Sequence, residues 1–187
     1  MTLEQDLGPL AGLVGTWEGD DGLDVAYSHS RDAIIETPYR ERTSFSAFGP
    51  VENGRQALYG LDYRTAAWRA DEVNPFHTEV GYWLWDHAAG EVMRCFVIPR
   101  GSVILAGGPA APDAAEFVMR AAVGSETYGV LSNQYLAEAA RCIRYEVTVS
   151  VCDAEYRYRS TTSIEHQRSA ELLEHTDENS LHPVECA

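Results

Sequence analysis

The chain has 187 residues, 45% of them hydrophobic and 10% aromatic, a composition that excludes an intrinsically disordered protein. Its 14 Lys and Arg against 29 Asp and Glu leave a formal net charge of −15, which repels phosphate backbones and anionic membranes, so we expect neither as a partner. The length predicts one domain over residues 1–187, and the lack of a signal-peptide pattern or a long apolar run predicts a cytoplasmic protein.

The N-terminal segment predicts a short amphipathic helix over residues 3–14, because its apolar residues recur near the helical period of 3.6. These residues are Leu3, Leu7, Leu10, Leu13 and Val14. A Gly-Thr-Trp turn follows, and Trp17 is expected to begin the first strand and to point into the bottom of a barrel. The acidic, glycine-rich run over residues 15–22 lacks the glycine spacing and the lysine of a phosphate-binding loop.

Beyond this turn the period changes to two, which predicts a succession of strands. The predicted strands cover residues 39–47, 57–63, 78–85, 92–98, 103–105, 116–122, 143–151, 156–164 and 172–176. Turn-forming residues separate the strands at 49–54, 71–75, 87–90, 107–113, 152–155 and 177–179, so successive strands are expected to be antiparallel neighbours. One later helix is predicted over residues 132–142, with Ser132 as its cap.

These elements predict an all-β fold, either a sandwich or a closed antiparallel barrel with a short N-terminal helix. Periodicity alone does not choose between the two. One strand carries Tyr82 and Leu84 on one face and Trp83 and Trp85 on the other, which favours a barrel. One of these aromatic sets would then line the barrel mouth or contact a second subunit, so a homodimer is a possible assembly.

Three segments carry candidate binding residues. His77 and Glu79 share one strand face and are an acid/base or ligand pair, or else a structural pair that holds a hairpin closed. Arg100 lies at a turn near the expected open end, where it would bind an anionic ligand group or form an ordinary ion pair. His175 is either oriented by Asp177 or Asn179 or part of a hairpin turn.

The sequence predicts no metal site and no catalytic nucleophile. It has no GxSxG or HExxH motif, and its four cysteines form no CxxC pair.

Several motifs in order resemble the nitrobindin-like family of heme-binding β-barrel proteins, in particular its bacterial branch. These proteins are similar to fatty-acid-binding proteins. The motifs are GTWEG at residue 15, FHTEVGYWLWD at 76, IPRG at 98, YRSTTSIE at 158 and EHTDENSL at 174. The resemblance covers residues 10–184 and implies a barrel of about ten strands with a calycin-like cavity, closed at one end by the N-terminal helix. It also implies ferric heme binding, reaction with nitric oxide and isomerisation of peroxynitrite to nitrate.

In heme-binding members of that family, a histidine on the last long strands ligates the iron. The segment 156–164 contains no histidine, and Tyr158 is the conceivable replacement if heme b binds. A tyrosinate at neutral pH would require Arg157 or Arg159 to lower its pKa. By the same resemblance, His77 matches a family histidine that lines or closes the cavity without ligating iron.

The leading hypothesis is therefore that a barrel cavity binds a small hydrophobic or amphipathic molecule, with no cofactor required. The predicted lining residues are Trp17, Tyr82, Phe96 and Tyr158, and the predicted contacts to a polar head group are His77, Arg100 and Arg159. One alternative is a heme-dependent enzyme that acts on nitric oxide or peroxynitrite. The other is a structural barrel that dimerises through Trp83 and Trp85.

Overall fold

The computed structural model describes residues 6–28, 30–152 and 154–184, which form eleven β-strands and two short helices. Leu3 of the predicted N-terminal helix lies outside the described residues. The helices are a 3₁₀ helix (Gly8–Leu13) and α1 (Gln134–Ala139). The strands are β1 (Gly15–Ser28), β2 (Ala33–Asn53), β3 (Gln56–Trp68), β4 (His77–Asp86), β5 (Glu91–Ile98), β6 (Ser102–Pro109), β7 (Glu116–Ala122), β8 (Val130–Ser132), β9 (Ala140–Cys152), β10 (Glu155–His166) and β11 (Leu173–Pro183).

The strands form one closed antiparallel barrel. Its hydrogen-bonded order is β5-β4-β3-β2-β1-β11-β10-β9-β7-β6, and pairing between β5 and β6 closes the cylinder. The short β8 adds an eleventh strand on β6. Closure removes exposed strand edges, which resolves the choice between sandwich and barrel. The prediction of a closed antiparallel barrel of about ten strands with a short N-terminal helix is confirmed.

The 3₁₀ helix closes one end of the barrel, which we call the closed end. Leu7, Leu10 and Leu13 are fully buried there, and the Nε1 atom of Trp17 donates a hydrogen bond to the Leu13 carbonyl at 2.8 Å. The opposite end, where β1 joins β2 and β10 joins β11, is the open end. None of the helices in the described residues has the length and apolar content needed to span a membrane.

Buried aromatic rings fill the lumen next to the closed end, because alternate residues of every strand point inward. The rings of Trp17, Phe45, Trp83, Phe117 and Tyr156 meet mostly edge to face, with centroids 5.7 to 6.4 Å apart. Because these rings occupy the interior, the lower lumen is a packed core.

The proposed dimer surface at Trp83 and Trp85 is wrong, since these side chains are 0% and 1% exposed inside the barrel.

Three local predictions also differ from the structure. Helix α1 spans only six residues, and the side chain of Asn133, not Ser132, accepts the capping hydrogen bond from the Leu136 amide. Residues 140–142 belong to β9 instead. The predicted turn at 177–179 lies in the middle of β11, where pairing with β1 and β10 overrides the turn preference of Asp and Asn.

Candidate functional site

A layer of buried polar side chains crosses the lumen above the aromatic core, and we call it the polar layer. Its members come from β2, β3, β4, β5, β9, β10 and β11. They are Glu41, Thr43, Tyr63, Thr65, Glu79, Arg94, Tyr145 and Asn179, together with the partly buried Tyr158. Buried polar groups require hydrogen-bond partners, and this layer supplies them in two connected halves.

The first half centres on an ion pair between Arg94 and Glu79. The Tyr63 hydroxyl donates to Glu79 at 2.8 Å, and Arg94 donates to the Tyr145 hydroxyl at 2.5 Å. Burial by itself would raise the pKa of Glu79, but the charge of Arg94, the hydrogen bond and charge of His77 and the hydrogen bond from Tyr63 together outweigh burial and lower this pKa to about 2. The Arg94 guanidinium also lies 4.3 Å from the Phe96 ring centroid, a cation–π contact.

The second half is built around Glu41, whose carboxylate accepts hydrogen bonds from four neutral groups of the described residues. Thr43 and Thr65 donate to one oxygen at 2.8 and 2.7 Å, and Tyr158 and Asn179 donate to the other at 2.7 and 3.0 Å. Burial, followed by the charges of Glu41 and Asp177, raises the pKa of Tyr158 well above its ordinary value. Tyr158 therefore stays protonated at neutral pH.

Two carboxylate–histidine pairs lie at the open end. The Nε2 atom of His77 contacts Glu79 at 3.1 Å, and the Nε2 atom of His175 contacts Asp24 at 2.6 Å. Burial lowers the pKa of His77, but the hydrogen bond and charge of Glu79 outweigh burial and raise it. His175 lies on the inward face of β11, and its side chain is 36% exposed, so it is accessible from the open end.

Asp177 lies two residues further along β11 and faces the same way as His175. The Tyr39 hydroxyl donates a hydrogen bond to Asp177 and is 2.8 Å from the Tyr158 hydroxyl. The ring of Tyr39 lies against Gly22 of β1, where a Cβ atom would be 2.4 Å from it, so glycine is required for this packing. Burial raises the pKa of Asp177 to about 7.

Between Arg94 of β5 and the open end, the wall across the barrel from β1 and β11 is apolar. In the closed strand order, β5 and β6 lie five positions away from β11 and β1, on the far side of the lumen. Their buried inward side chains include Phe96 and Ile104. The open end therefore has a polar side with imidazoles and carboxylates and an opposite apolar side, a combination suited to an amphipathic ligand.

The structure places some predicted lining residues inside the lumen. Trp17 and Phe96 are buried in it, Tyr158 belongs to the polar layer and His77 lies at the open end. Their part in binding a ligand stays a prediction.

Three predicted contacts lie outside the lumen. Tyr82 is 49% exposed on the outer face of β4, because Trp83 takes the inward direction. Arg159 points outward, 3.5 Å from Glu178. Arg100 is exposed at the β5–β6 turn, at the open end as expected.

The requirement for an arginine beside Tyr158 is not met. Arg157 and Arg159 alternate with Tyr158 along β10 and pair with glutamates on the outer surface. Neither of these two guanidinium groups therefore stabilises a tyrosinate at Tyr158. The sequence left open whether His175 is oriented by Asp177 or Asn179 or is part of a hairpin turn. It is an inward histidine on the last strand, and its partner is Asp24.

Sequence reasoning also missed Glu41, Arg94 and Asp24. Glu41 and Arg94 could have been found, because strand alternation places Glu41 between Tyr39 and Thr43 on one face and Arg94 between apolar neighbours. A charged residue in the apolar register of a strand indicates a buried polar site. Asp24 carried no such signal, since its partner is 151 residues away in the sequence.

Comparisons with known proteins agree with this geometry. The model of the family described as "THAP4-like, heme-binding beta-barrel domain" matches residues 6–182. A peroxynitrite isomerase from Clavibacter michiganensis subsp. michiganensis is 35% identical over 83 residues, which cover 43% of this chain and 36% of the relative. The match thus spans about a third of that relative's length.

The crystal structure of Rv2717c from M. tuberculosis superposes with a TM-score of 0.64 at 16% identity and covers 99% of both chains. At this identity the likeness shows the fold alone.

Proposed function

Because the chain belongs to the THAP4-like heme-binding β-barrel family, we propose that its open end binds heme b and that His175 is the iron ligand. The observation that carries the proposal is the position of His175, inward-facing on the last strand and held by Asp24 at 2.6 Å. A carboxylate on one ring nitrogen orients an imidazole and raises the basicity of the other nitrogen.

The donor set of the open end fits ferric heme. An imidazole is an ordinary axial ligand, and the apolar wall of Phe96 and Ile104 suits the flat face of a porphyrin. Tyr158 does not fit the role of ligand, because its raised pKa keeps it neutral and its hydroxyl is bound to Glu41. His175 thus replaces Tyr158 as the candidate ligand.

The proposed reaction is the isomerisation of peroxynitrite to nitrate, the activity for which the Clavibacter relative is named. A bound ferric heme would supply a Lewis-acidic iron for the oxidised nitrogen species. His175 would hold the iron, and the apolar wall would exclude water from one side of the site. His77 and Asp177 line the polar side, where they are placed to orient an anionic substrate or to hold a proton.

Hemin titration followed by visible spectroscopy tests the ligand assignment. We expect the wild type to shift the Soret band at a 1:1 ratio and H175A to bind hemin at least about 10-fold more weakly. His182, exposed near the other end of β11, provides the matched control, so H182A and Y158F should titrate like the wild type. An unchanged spectrum and affinity for H175A would refute the assignment.

The activity is tested separately. Stopped-flow absorbance should show faster peroxynitrite decay with hemin-loaded protein than with hemin-free protein, and ion chromatography should show a higher yield of nitrate relative to nitrite. Loaded protein that leaves both the rate and the product ratio unchanged would exclude the isomerase activity and leave heme binding intact.

One observation favours a second candidate, the binding of a small amphipathic molecule without heme. The Nε2 atom of His175 is already engaged by Asp24, and the polar and apolar sides of the open end suit such a ligand. Native mass spectrometry of freshly purified protein distinguishes the candidates, because heme b and a co-purified organic molecule differ in mass and in visible absorbance.

A further inference from the structure

The outside of the barrel carries a groove across β2, β3 and β4, and we call it the outer groove. Its volume is about 580 Å³, which lies within the range of small-molecule binding sites. Strand alternation directs its exposed side chains away from the lumen, so the outer groove is separate from the open end. Its lining residues are Ser46, Ala47, Phe48, Val51, Leu58, Asp62, Tyr82 and Leu84.

The floor of the outer groove is apolar because of Gly60 on β3. This glycine pairs with Phe48 of β2 on one side and with Leu84 of β4 on the other. A Cβ atom at Gly60 would lie 2.8 Å from the Phe48 ring and 2.9 Å from the Leu84 side chain. The two apolar side chains therefore lie over the glycine, where they form a surface that an alkyl or aromatic group can cover.

Two aromatic rings lie beside this floor. The ring centroids of Phe48 and Tyr82 are 5.5 Å apart, and the rings meet edge to face. Tyr82 is 49% exposed, so part of its ring is available to a ligand. The face of an aromatic ring attracts a cation, which gives the outer groove a preference among amphipathic ligands.

A carboxylate lies at one end of the outer groove. The strand register places Asp62 between Ser46 of β2 and Tyr82 of β4, and all three residues are exposed. The Asp62 side chain makes no hydrogen bond or ion pair with the described residues. Its charge is therefore not neutralised by the protein and is free to pair with a cation.

We propose that the outer groove binds a small amphipathic cation, an alkyl or aromatic ammonium compound. Its positive head lies between the Asp62 carboxylate and the Tyr82 ring, and its apolar part covers Phe48 and Leu84. The net charge of −15 adds to this preference, because it raises the concentration of cations around the whole chain. An anionic amphipathic molecule would be repelled by Asp62, and a neutral one would leave its charge unpaired.

Calorimetric titration of the purified full chain tests the proposal, with decyltrimethylammonium and decanoate as probes below their micelle concentrations. The two probes carry similar alkyl chains and opposite charges. Decyltrimethylammonium should bind at a 1:1 ratio and at least about 5-fold more tightly than decanoate. Added salt should weaken the binding of the cation. Amide chemical shifts should locate it at residues 46–48, 60–62 and 82–84.

D62N and D71N separate the local charge of the groove from the net charge of the chain. Each variant removes one negative charge, but Asp71 is exposed in the loop between β3 and β4, at the open end. D62N should weaken the binding of decyltrimethylammonium about 3-fold or more, whereas D71N should bind it like the wild type. Y82A should also weaken it about 3-fold or more, because it removes the aromatic ring.

Circular dichroism checks that the variants are folded, and S46R provides a second variant at an exposed position. It places a guanidinium opposite Asp62, where it should compete with the bound cation and lower its affinity. The proposal is overturned if decyltrimethylammonium shows no saturable binding, or if the shifted amides lie in the lumen. Equal affinities of D62N and D71N, or of the two probes for the groove, would overturn it as well.

Discussion

The buried ion pair between Arg94 and Glu79 should control the stability of the barrel, and replacing Arg94 with Met tests this directly. Both side chains are 10% exposed, and Arg94 also donates to the Tyr145 hydroxyl. Methionine fills much of the same volume but leaves the Glu79 carboxylate buried without its cation. Breaking a buried pair in this way costs about 3–5 kcal/mol, which for a chain of this length lowers Tm by roughly 6–20 °C.

The pKa of Glu79 gives a second scale, for the stabilisation of its charge by Arg94, His77 and Tyr63 together. Its fall from 4.5 to about 2 corresponds to about 3 kcal/mol of stability. A lowered acid pKa stabilises the folded state above pH 4.5, and this contribution disappears as the pH falls toward 2. Without Arg94, burial should raise the pKa of Glu79 instead, so R94M should regain stability relative to the wild type as the pH falls from 7 to 5.

Urea unfolding followed by tryptophan fluorescence measures both effects. The matched control is the double variant E79Q/R94M, which removes both charges and should recover about 2 kcal/mol or more of the loss in R94M. The reasoning is refuted if R94M loses less than about 1 kcal/mol at pH 7, or if E79Q restores nothing when added to it.

Three further predictions follow from single contacts. In urea unfolding, D177N should stabilise the protein by about 1–3 kcal/mol at pH 8 and by less at pH 5. Burial raises the pKa of Asp177 to about 7, so the stability of the wild type falls as the pH rises from about 4 to 7. An equal gain at both pH values would contradict this reasoning. G81A should lower the free energy of unfolding by about 3 kcal/mol or more, because its Cβ atom would lie 2.0 Å from the Cys95 carbonyl oxygen. The control G129A, whose Cβ atom would have its nearest contact at 3.5 Å, should lower it by less than about 1 kcal/mol. D24N should weaken hemin binding about 10-fold or more, whereas the exposed control D20N should bind hemin like the wild type. Equal hemin affinities of D24N and the wild type would show that Asp24 does not support the heme ligand.

Strand alternation in the sequence predicts most of the barrel strands. The predicted strand at residues 116–122 coincides with β7, and the others lie within or overlap longer observed strands. Predictions that depended on local turn preference were less accurate. Residues 177–179 look like a turn in isolation, but β1 and β10 pair with β11 on both sides and hold this segment extended.

The sequence by itself determined that this chain forms antiparallel strands, and it determined which side chains share a face, because alternation is a local property of an extended backbone. It did not determine which face lies inside. Only closure of the barrel turned Trp83 inward and Tyr82 outward, and the same closure paired β1 with β11 and brought Asp24 to His175. Such contacts join residues far apart in the chain, so no local pattern encodes them, and the candidate site exists only once the cylinder is complete.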